Sequence, residues 1–152
     1  MVRRKCVRGR AIWQPLLVVF ISVVILFTSL IGTGATTRVN RDFLDAAFNG
    51  DTKAVEALLA EGADVNVKDG IGFTALFGAA RSGYTEIVKL LLANGADPNV
   101  KLPTSGTTAL MYAVYGGRNQ VVIVLLAKGA EINAKDNEGL TALEYAETTR
   151  HE

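Results

Sequence analysis

The chain has 152 residues, of which 49% are hydrophobic, and its formal net charge is +1. A single cysteine forms neither an internal disulfide nor a cysteine-based zinc site, and with a single histidine the chain has almost no metal ligands. From residue 38 onward there are eleven Lys or Arg and fifteen Asp or Glu, and this mildly acidic balance argues against nucleic acid binding, which needs clustered cations.

The first 37 residues differ in character from the rest of the chain. Five Lys or Arg fall within residues 1–10, and no charged residue occurs between positions 10 and 38. Within that window lies LLVVFISVVILFTSLI, Leu16–Ile31, which has only three polar members. A soluble helix would show a polar face at the period of about 3.6 residues. This stretch shows none, so we expect it to meet a membrane.

Two interpretations of this segment stay open. A secretory signal peptide has a basic region, an apolar region and a small-residue cleavage site, and cleavage after Ala35 in TGATT would fit that order. An uncleaved transmembrane anchor needs about 20 predominantly apolar residues, and residues 11–32 form an uncharged stretch of 22 residues. Both interpretations leave the cations in the cytoplasm. The C-terminal body is therefore expected to be secreted or periplasmic, or membrane-anchored on the non-cytoplasmic side.

The remainder of the chain repeats itself. LLAEGADVNV, LLANGADPNV and LLAKGAEINA follow one another at spacings of 33 and 34 residues. TALFGAA, TALMYAV and TALEYAE form a second motif at nearly the same period. Because separate motifs agree on one period, the sequence predicts a repeat protein whose stacked units share a continuous core.

Each unit is predicted to hold two helices and a finger. The TALxxA segment has small residues that allow close packing of a first helix, which Gly83 and Gly117 end with a positive φ. The second helix carries an apolar stripe at helical spacing, formed by Ile87, Val88, Leu91 and Leu92. Asp, Pro, Asn and Gly residues then predict tight turns in a β-hairpin-like finger.

This unit resembles the ankyrin repeat. The family pattern DxxGxTxLxxAxxxG…VxxLLxxGAxxN is matched almost entirely from Asp69 to Asn99, and the resemblance runs from Asn40 to about His151. The chain departs from the family at positions where Pro or His is usual, which here are Ala75, Ala109 and Ala142, and Phe77, Met111 and Glu144. The resemblance implies an all-α repeat fold, an α-solenoid of helix-turn-helix units with β-hairpin fingers.

The predicted organisation is an N-terminal segment, residues 1–37, followed by a repeat domain, residues 38–152. The repeats span about 40–67, a capping unit without a finger, then 68–100 and 101–134, and finally 135–152, which ends after a first helix. A repeat array needs a polar face at its end. The missing last helix is expected to leave apolar surface beside Val121–Leu126, open to a homodimer contact or to another partner.

The sequence contains no recognisable catalytic set. Nucleophilic catalysis needs a base within reach, and the only histidine is His151, one residue from the C-terminus. Asp64 and Asp97 recur after Gly-Ala, and Asp69 and Asp136 begin fingers, so these carboxylates are interpreted as turn residues. We therefore predict a protein that is not an enzyme and needs no cofactor or metal.

The resemblance also implies a protein-binding surface. In ankyrin-like arrays, partners dock on the finger tips and on the concave face of the first helices, and aromatic residues and Arg are enriched at binding hot spots. The corresponding positions here are the finger residues Ile71, Phe73, Thr107 and Leu140 and the first-helix residues Phe48, Asn49, Arg81, Ser82, Tyr112 and Tyr115. Local packing against the next finger is the alternative role for Phe73 and Tyr115.

Two functional hypotheses follow. The leading one is a non-enzymatic protein–protein interaction module that is exported across a membrane or tethered to it, with residues 11–32 as the membrane segment if they stay uncleaved. The alternative is a membrane-anchored structural or assembly scaffold that organises neighbouring membrane or envelope proteins. The identity of the protein partner does not follow from the sequence.

Overall fold

The computed structural model describes residues 37–149, which contain seven helices and no β-strand. The helices are α1 (37–49), α2 (Thr52–Ala60), α3 (Ala75–Ser82), α4 (Thr85–Ala93), α5 (Ala109–Tyr115), α6 (Asn119–Ala127) and α7 (Ala142–Thr149). The predicted all-α repeat architecture is confirmed. The predicted signal peptide or anchor and His151 lie outside the described residues. None of the helices in the described range is long and apolar enough to span a bilayer.

The helices are arranged in two layers. The first helices of successive repeats contact one another, α3 with α5 and α5 with α7, and the second helices do the same, α2 with α4 and α4 with α6. Within a repeat, α3 packs on α4 and α5 on α6. Each helix pair therefore covers the apolar face of its neighbour, as stacked repeats require.

The core follows the motif positions that recur in the sequence. Ala75, Leu76 and Ala79 of α3 are buried, as are Ala109, Leu110 and Ala113 at the equivalent positions of α5. The predicted stripe of α4 is also found, because Ile87, Val88 and Leu91 are buried and Leu92 packs against them. Small residues on the first helices let the two layers approach closely.

Glycines end the helices where the sequence predicted. Gly83, with φ of +87°, caps α3 in the left-handed region, and its N–H donates to the carbonyl of Ala79. Gly117, with φ of +65°, follows the last turn of α5. Glycine adopts this conformation without steric cost, so the chain reverses direction within two residues and begins the next helix.

The fingers are built from side chain to backbone turns. The Asp69 carboxylate accepts hydrogen bonds from the N–H groups of Ile71 (2.9 Å) and Phe73 (2.8 Å). Asp136 holds the third finger through the N–H groups of Glu138 and Leu140, both at 2.9 Å. The interpretation of these aspartates as turn residues is confirmed. An isolated antiparallel bridge between Lys101 and Thr108 closes the second finger.

Asparagine side chains join successive repeats. The amide of Asn66 donates to the carbonyl of Gly95 (3.1 Å) and its oxygen accepts from the N–H of Asp97 (3.0 Å). Asn99 repeats both bonds one unit later, to Gly129 (3.0 Å) and Glu131 (2.8 Å). We call this series the asparagine ladder. The extra residue in the second finger leaves it intact, because both bonds of Asn99 form as they do in the unit before.

The C-terminal end of the array leaves an apolar surface exposed. Leu143 of α7 is 67% exposed, whereas its equivalents Leu76 and Leu110 are 3% and 2% exposed under the second helix of their own repeats. Ile123 and Leu126 of α6 are exposed as well, whereas Val121 and Leu125 of the same helix are buried. The segment Val121–Leu126, beside which apolar surface was expected, thus has two exposed apolar side chains.

Candidate functional site

A groove runs between the fingers and the exposed side of the first helices. Two positions, one helical turn apart, supply its floor in each repeat. The first is occupied by Asp45, Gly78, Tyr112 and Tyr145 in successive repeats, and the second by Phe48, Arg81, Tyr115 and Thr148. Gly78 is buried, and the other seven residues are half-buried or exposed, so most of these side chains present surface to the groove.

A cleft of about 400 Å³ opens in the groove beside Gly78. We call it the Gly78 cleft. Its lining joins two repeats and consists of Phe48, Asp69, Ile71, Phe73, Gly78, Arg81 and Ser82. The volume is within the range of about 300–1,000 Å³ that ligand pockets usually have, and the lining combines apolar side chains with one charge of each sign.

Position 78 has no side chain, and the ring of Phe48 takes that space. A Cβ atom added to Gly78 would overlap this ring, which lies against the α3 backbone at this point. In the next two repeats, tyrosines occupy the equivalent position. The Phe48 ring of α1 therefore covers Gly78, whereas Tyr112 and Tyr145 bring rings of their own to the groove.

Aromatic side chains form one wall of the groove. The Phe73 ring centroid lies 6.3 Å from that of Phe48, 5.4 Å from that of Phe77 and 5.6 Å from that of Tyr112. These tilted and edge-on geometries are the favourable ones for aromatic pairs. Phe73 thus packs on rings of the first helices, while keeping part of its surface exposed to the Gly78 cleft.

A smaller cleft of about 190 Å³ lies one repeat further along, and we call it the Tyr145 cleft. Ser105, Thr107 and Tyr145 line it, together with Met111, Tyr112 and Tyr115. The hydroxyls of Ser105 and Thr107 are 2.6 Å apart and hydrogen-bonded to each other. Tyr112 lines this cleft and separates it from the Gly78 cleft, since its ring packs on Phe73 and Phe77.

In the described part of the groove, the groups whose pKa values are clearly shifted lie at the Tyr145 cleft. The hydroxyl of Tyr145 donates to the Asp136 carboxylate at 2.7 Å. Partial desolvation of Asp136 opposes its ionisation, but the hydrogen bonds from Tyr145 and from three backbone N–H groups outweigh it and lower the pKa of Asp136. Desolvation, followed by the bond to Asp136, raises the pKa of Tyr145. At neutral pH Asp136 is therefore ionised and Tyr145 is neutral, and the hydrogen bond between them holds the third finger on α7.

The charges of the Gly78 cleft are of two kinds. Asp69 is already used by the finger, since one of its carboxylate oxygens accepts from two backbone N–H groups. The guanidinium of Arg81 is exposed and forms no ion pair within the described residues. The Arg118 Nε donates to the Arg81 carbonyl at 3.2 Å, which brings a second guanidinium to the same end of the cleft.

The structure brings eight of the ten predicted binding residues into the walls of the two clefts. Phe48, Ile71, Phe73, Arg81 and Ser82 line the Gly78 cleft, and Thr107, Tyr112 and Tyr115 line the Tyr145 cleft. Tyr115 is 62% exposed and contacts the ring of Tyr145 rather than a finger. Asn49 is exposed at the end of α1, and Leu140 is half-buried with its N–H bound to Asp136.

One of these positions differs from its expected environment. Thr107 was expected to be an exposed finger-tip residue, but it is only 5% exposed. Its hydroxyl bonds to Ser105, and its carbonyl accepts from the N–H of Leu102, as the carbonyls of Phe73 and Leu140 accept from Asp69 and Asp136 in the other two fingers. Whether any of the ten residues contacts a partner remains a prediction.

Sequence reasoning missed Gly78, the residue on which the Phe48 ring lies in the larger cleft. The signal was present, since aligning the repeats at their period sets Gly78 against Tyr112 and Tyr145. Glycine in a helix interior also costs up to about 1 kcal/mol relative to alanine. A glycine in the interior of a repeat helix therefore indicates a place where another group comes close to the helix backbone.

No cluster of three or more His, Cys, Asp or Glu side chains with metal-binding geometry occurs in residues 37–149. Those described carboxylates that accept hydrogen bonds do so in turns, at helix starts and in finger contacts. Glu144 is an example, because its carboxylate accepts from both the N–H (2.6 Å) and the hydroxyl (2.8 Å) of Thr141 at the start of α7.

Comparison with known proteins agrees with the repeat architecture. The family model described as ankyrin repeats (three copies) matches residues 43–136 and 105–152, which together span most of the chain. A search of the curated proteins returned no match.

Proposed function

Since the chain belongs to the ankyrin repeat family, whose members are typically non-enzymatic and bind proteins, we propose that it is a non-enzymatic module that binds a protein partner in the groove. The observation that supports this role is the groove itself, in which two clefts lined by partly exposed aromatic rings lie next to an unpaired arginine. Aromatic residues and Arg in partly desolvated positions supply most binding energy at protein interfaces.

Affinity capture from the native host tests the groove. The bait is the full chain in mild detergent, and its variant carries Phe48→Ala, Arg81→Ala and Tyr115→Ala. We expect the variant to lose the captured partner while keeping its helical circular dichroism signal. The matched control replaces Glu56, Lys89 and Gln120 by alanine, because these residues are exposed on the second helices, away from the groove. Equal capture by both variants would contradict binding in the groove.

We further propose that residues 11–32 deliver the repeat domain to a membrane, either as a cleaved signal peptide or as an anchor. The support is their uninterrupted apolar sequence after a basic N-terminus. N-terminal sequencing of the protein from its native host separates the two forms. A start at Thr36 indicates export with cleavage, an intact Met1 in the membrane fraction indicates the anchored scaffold, and an intact Met1 in the soluble fraction contradicts both.

The exposed C-terminal end of the array supports a proposed contact between two copies of the chain. Leu143, Ile123 and Leu126 form an apolar surface there, and such a surface favours association. Sedimentation of the full chain in detergent should show a dimer that Leu143→Asp converts to a monomer. Ile71→Asp, which places the same charge on a finger tip, should leave the dimer intact. A monomeric parent chain would refute the contact.

A further inference from the structure

We propose that the Gly78 cleft binds a peptide segment of the partner in which an apolar side chain stands next to an acidic one. The apolar side chain packs in the cleft against Phe48 and Phe73, and the carboxylate pairs with Arg81. This inference rests on the proposed protein-binding function and specifies the chemistry of the partner at one place in the groove.

The apolar half of the proposal follows from the floor and walls of the cleft. The Phe48 ring lies on the α3 backbone at Gly78 and meets the Phe73 ring edge-on, with the centroids 6.3 Å apart, and both rings line the cleft. Ile71 is exposed at the finger tip above them. An inserted aliphatic or aromatic side chain would cover apolar surface of all three residues, and burial of apolar area is the general driving force of association.

The acidic half of the proposal follows from a positive charge that has no ion-pair partner in the described residues. Asp69 has its carboxylate directed to the N–H groups of Ile71 and Phe73, so its negative charge is largely satisfied within the finger. Arg81 has no carboxylate partner in the described part of the chain, and Arg118 adds a second cation next to it. The unmet charge is therefore positive, and it is complementary to a carboxylate.

The position of the acid relative to the apolar residue is also constrained. Asp45 of α1 occupies the position equivalent to Gly78 and is exposed. Its negative charge lies one helical turn before Phe48 on α1, whereas Arg81 lines the cleft from α3. We expect the acidic residue of the bound segment to face α3, because facing α1 would set two carboxylates near each other.

Selection from a phage-displayed library of short random peptides against the full chain in mild detergent tests the proposal. We expect the selected peptides to share an apolar residue adjacent to Asp or Glu. The affinity of one synthetic selected peptide is then measured by fluorescence anisotropy. Arg81→Glu should weaken its binding by about tenfold or more, and exchanging the peptide's acidic residue for Lys should restore binding to that variant.

Two further variants separate the cleft from the rest of the surface. Lys53→Glu makes the same charge change on α2, where Lys53 is exposed outside the groove, and should leave the affinity unchanged. Gly78→Ala adds a methyl group to the floor and displaces the Phe48 ring, and should weaken binding without altering the charge preference. Circular dichroism confirms that each variant is folded.

The outcomes also distinguish this inference from the proposed function. Selected peptides without an acidic residue, or equal effects of Arg81→Glu and Lys53→Glu, would overturn the inference. If Tyr115→Ala weakens the peptides and Arg81→Glu does not, then the groove binds partners but the Gly78 cleft is not the site. Failure to select any peptide would also overturn it, whereas the proposed function would still be decided by the capture experiment in the native host.

Discussion

At the scale of single residues, two asparagines show how side chains can replace a continuous sheet in joining repeats. Asn66 and Asn99 each bond to a backbone carbonyl and a backbone N–H of the next unit. Asn133 occupies the same position in the third unit, but no helix follows α7 in the described residues, and its side chain is exposed without such bonds. Asparagine at this repeat position thus joins two units at Asn66 and Asn99, and makes no such bonds at Asn133.

This contrast predicts different costs for the same substitution. Asn99→Ala removes two hydrogen bonds, each with a net contribution of about 0.5–1.5 kcal/mol, and should lower the free energy of unfolding by about 1–3 kcal/mol. Asn133→Ala should change it by less than about 0.5 kcal/mol. Urea denaturation of the full chain in mild detergent measures both. Equal losses would show that the ladder does not stabilise the array.

The bond between Tyr145 and Asp136 gives a second prediction at this scale. Tyr145→Phe removes the hydroxyl that donates to Asp136, so the pKa of Asp136 should rise towards its ordinary value of 3.8. The lowered pKa contributes stability that is present above that ordinary value and is lost as the pH falls through the folded-state pKa. The variant should therefore lose less stability on acidification.

Carbon-detected NMR titration of the Asp136 carboxyl group measures this change directly. Tyr115→Phe is the control, since Tyr115 is a largely exposed neighbour that contacts Tyr145 by its ring and leaves the bond to Asp136 in place. An Asp136 pKa that is the same in both variants would contradict the assigned role of the hydroxyl.

At the scale of secondary structure elements, α3 combines an unfavourable residue with an aromatic contact. Gly78 in its interior lowers helix propensity, but it allows the Phe48 ring of α1 to lie against the α3 backbone. The sequence predicted α3, its close packing through small residues and its glycine end, because those features follow from period and turn chemistry. It did not predict the ring contact, which depends on how α1 packs beside α3.

A double-mutant cycle tests this compensation. In a Phe48→Ala background, Gly78→Ala should raise the free energy of unfolding by about 1 kcal/mol, as expected for replacing an interior glycine of a helix. In the parent chain the gain should be smaller or reversed, because the added methyl group displaces the ring. Denaturant unfolding of the four proteins gives the coupling. An equal gain in both backgrounds would mean that the ring adjusts freely.

At the scale of the whole molecule, burial is uneven along the array. Equivalent leucines are buried in α3 and α5 and exposed in α7, because α7 has no second helix over it in the described residues. Period and motif were enough to predict the stacked fold and most of the groove. Thr107 was misplaced because its hydroxyl bonds to Ser105 and is buried within the finger, and a repeat period does not encode that contact.

The uneven burial predicts a gradient of local stability. Amide hydrogen exchange should show that α7 opens with the lowest free energy and that α3 to α6 open together. Leu110→Ala should reduce protection throughout α3 to α6, by about 2–5 kcal/mol of opening free energy. Leu143→Ala should affect only α7, and by less than about 1 kcal/mol. Uniform protection along the array would contradict the gradient.

The intact ladder around the longer second finger has a consequence for how such proteins can diversify. Asn99 bonds across a unit that is one residue longer than the one before it, and the helices on either side keep their packing. Insertion in a finger is thus uncoupled from the stacking of helices. Longer loops could be grafted between Lys101 and Thr108, the bridged ends of this finger, to give the scaffold new recognition segments while its frame stays the same.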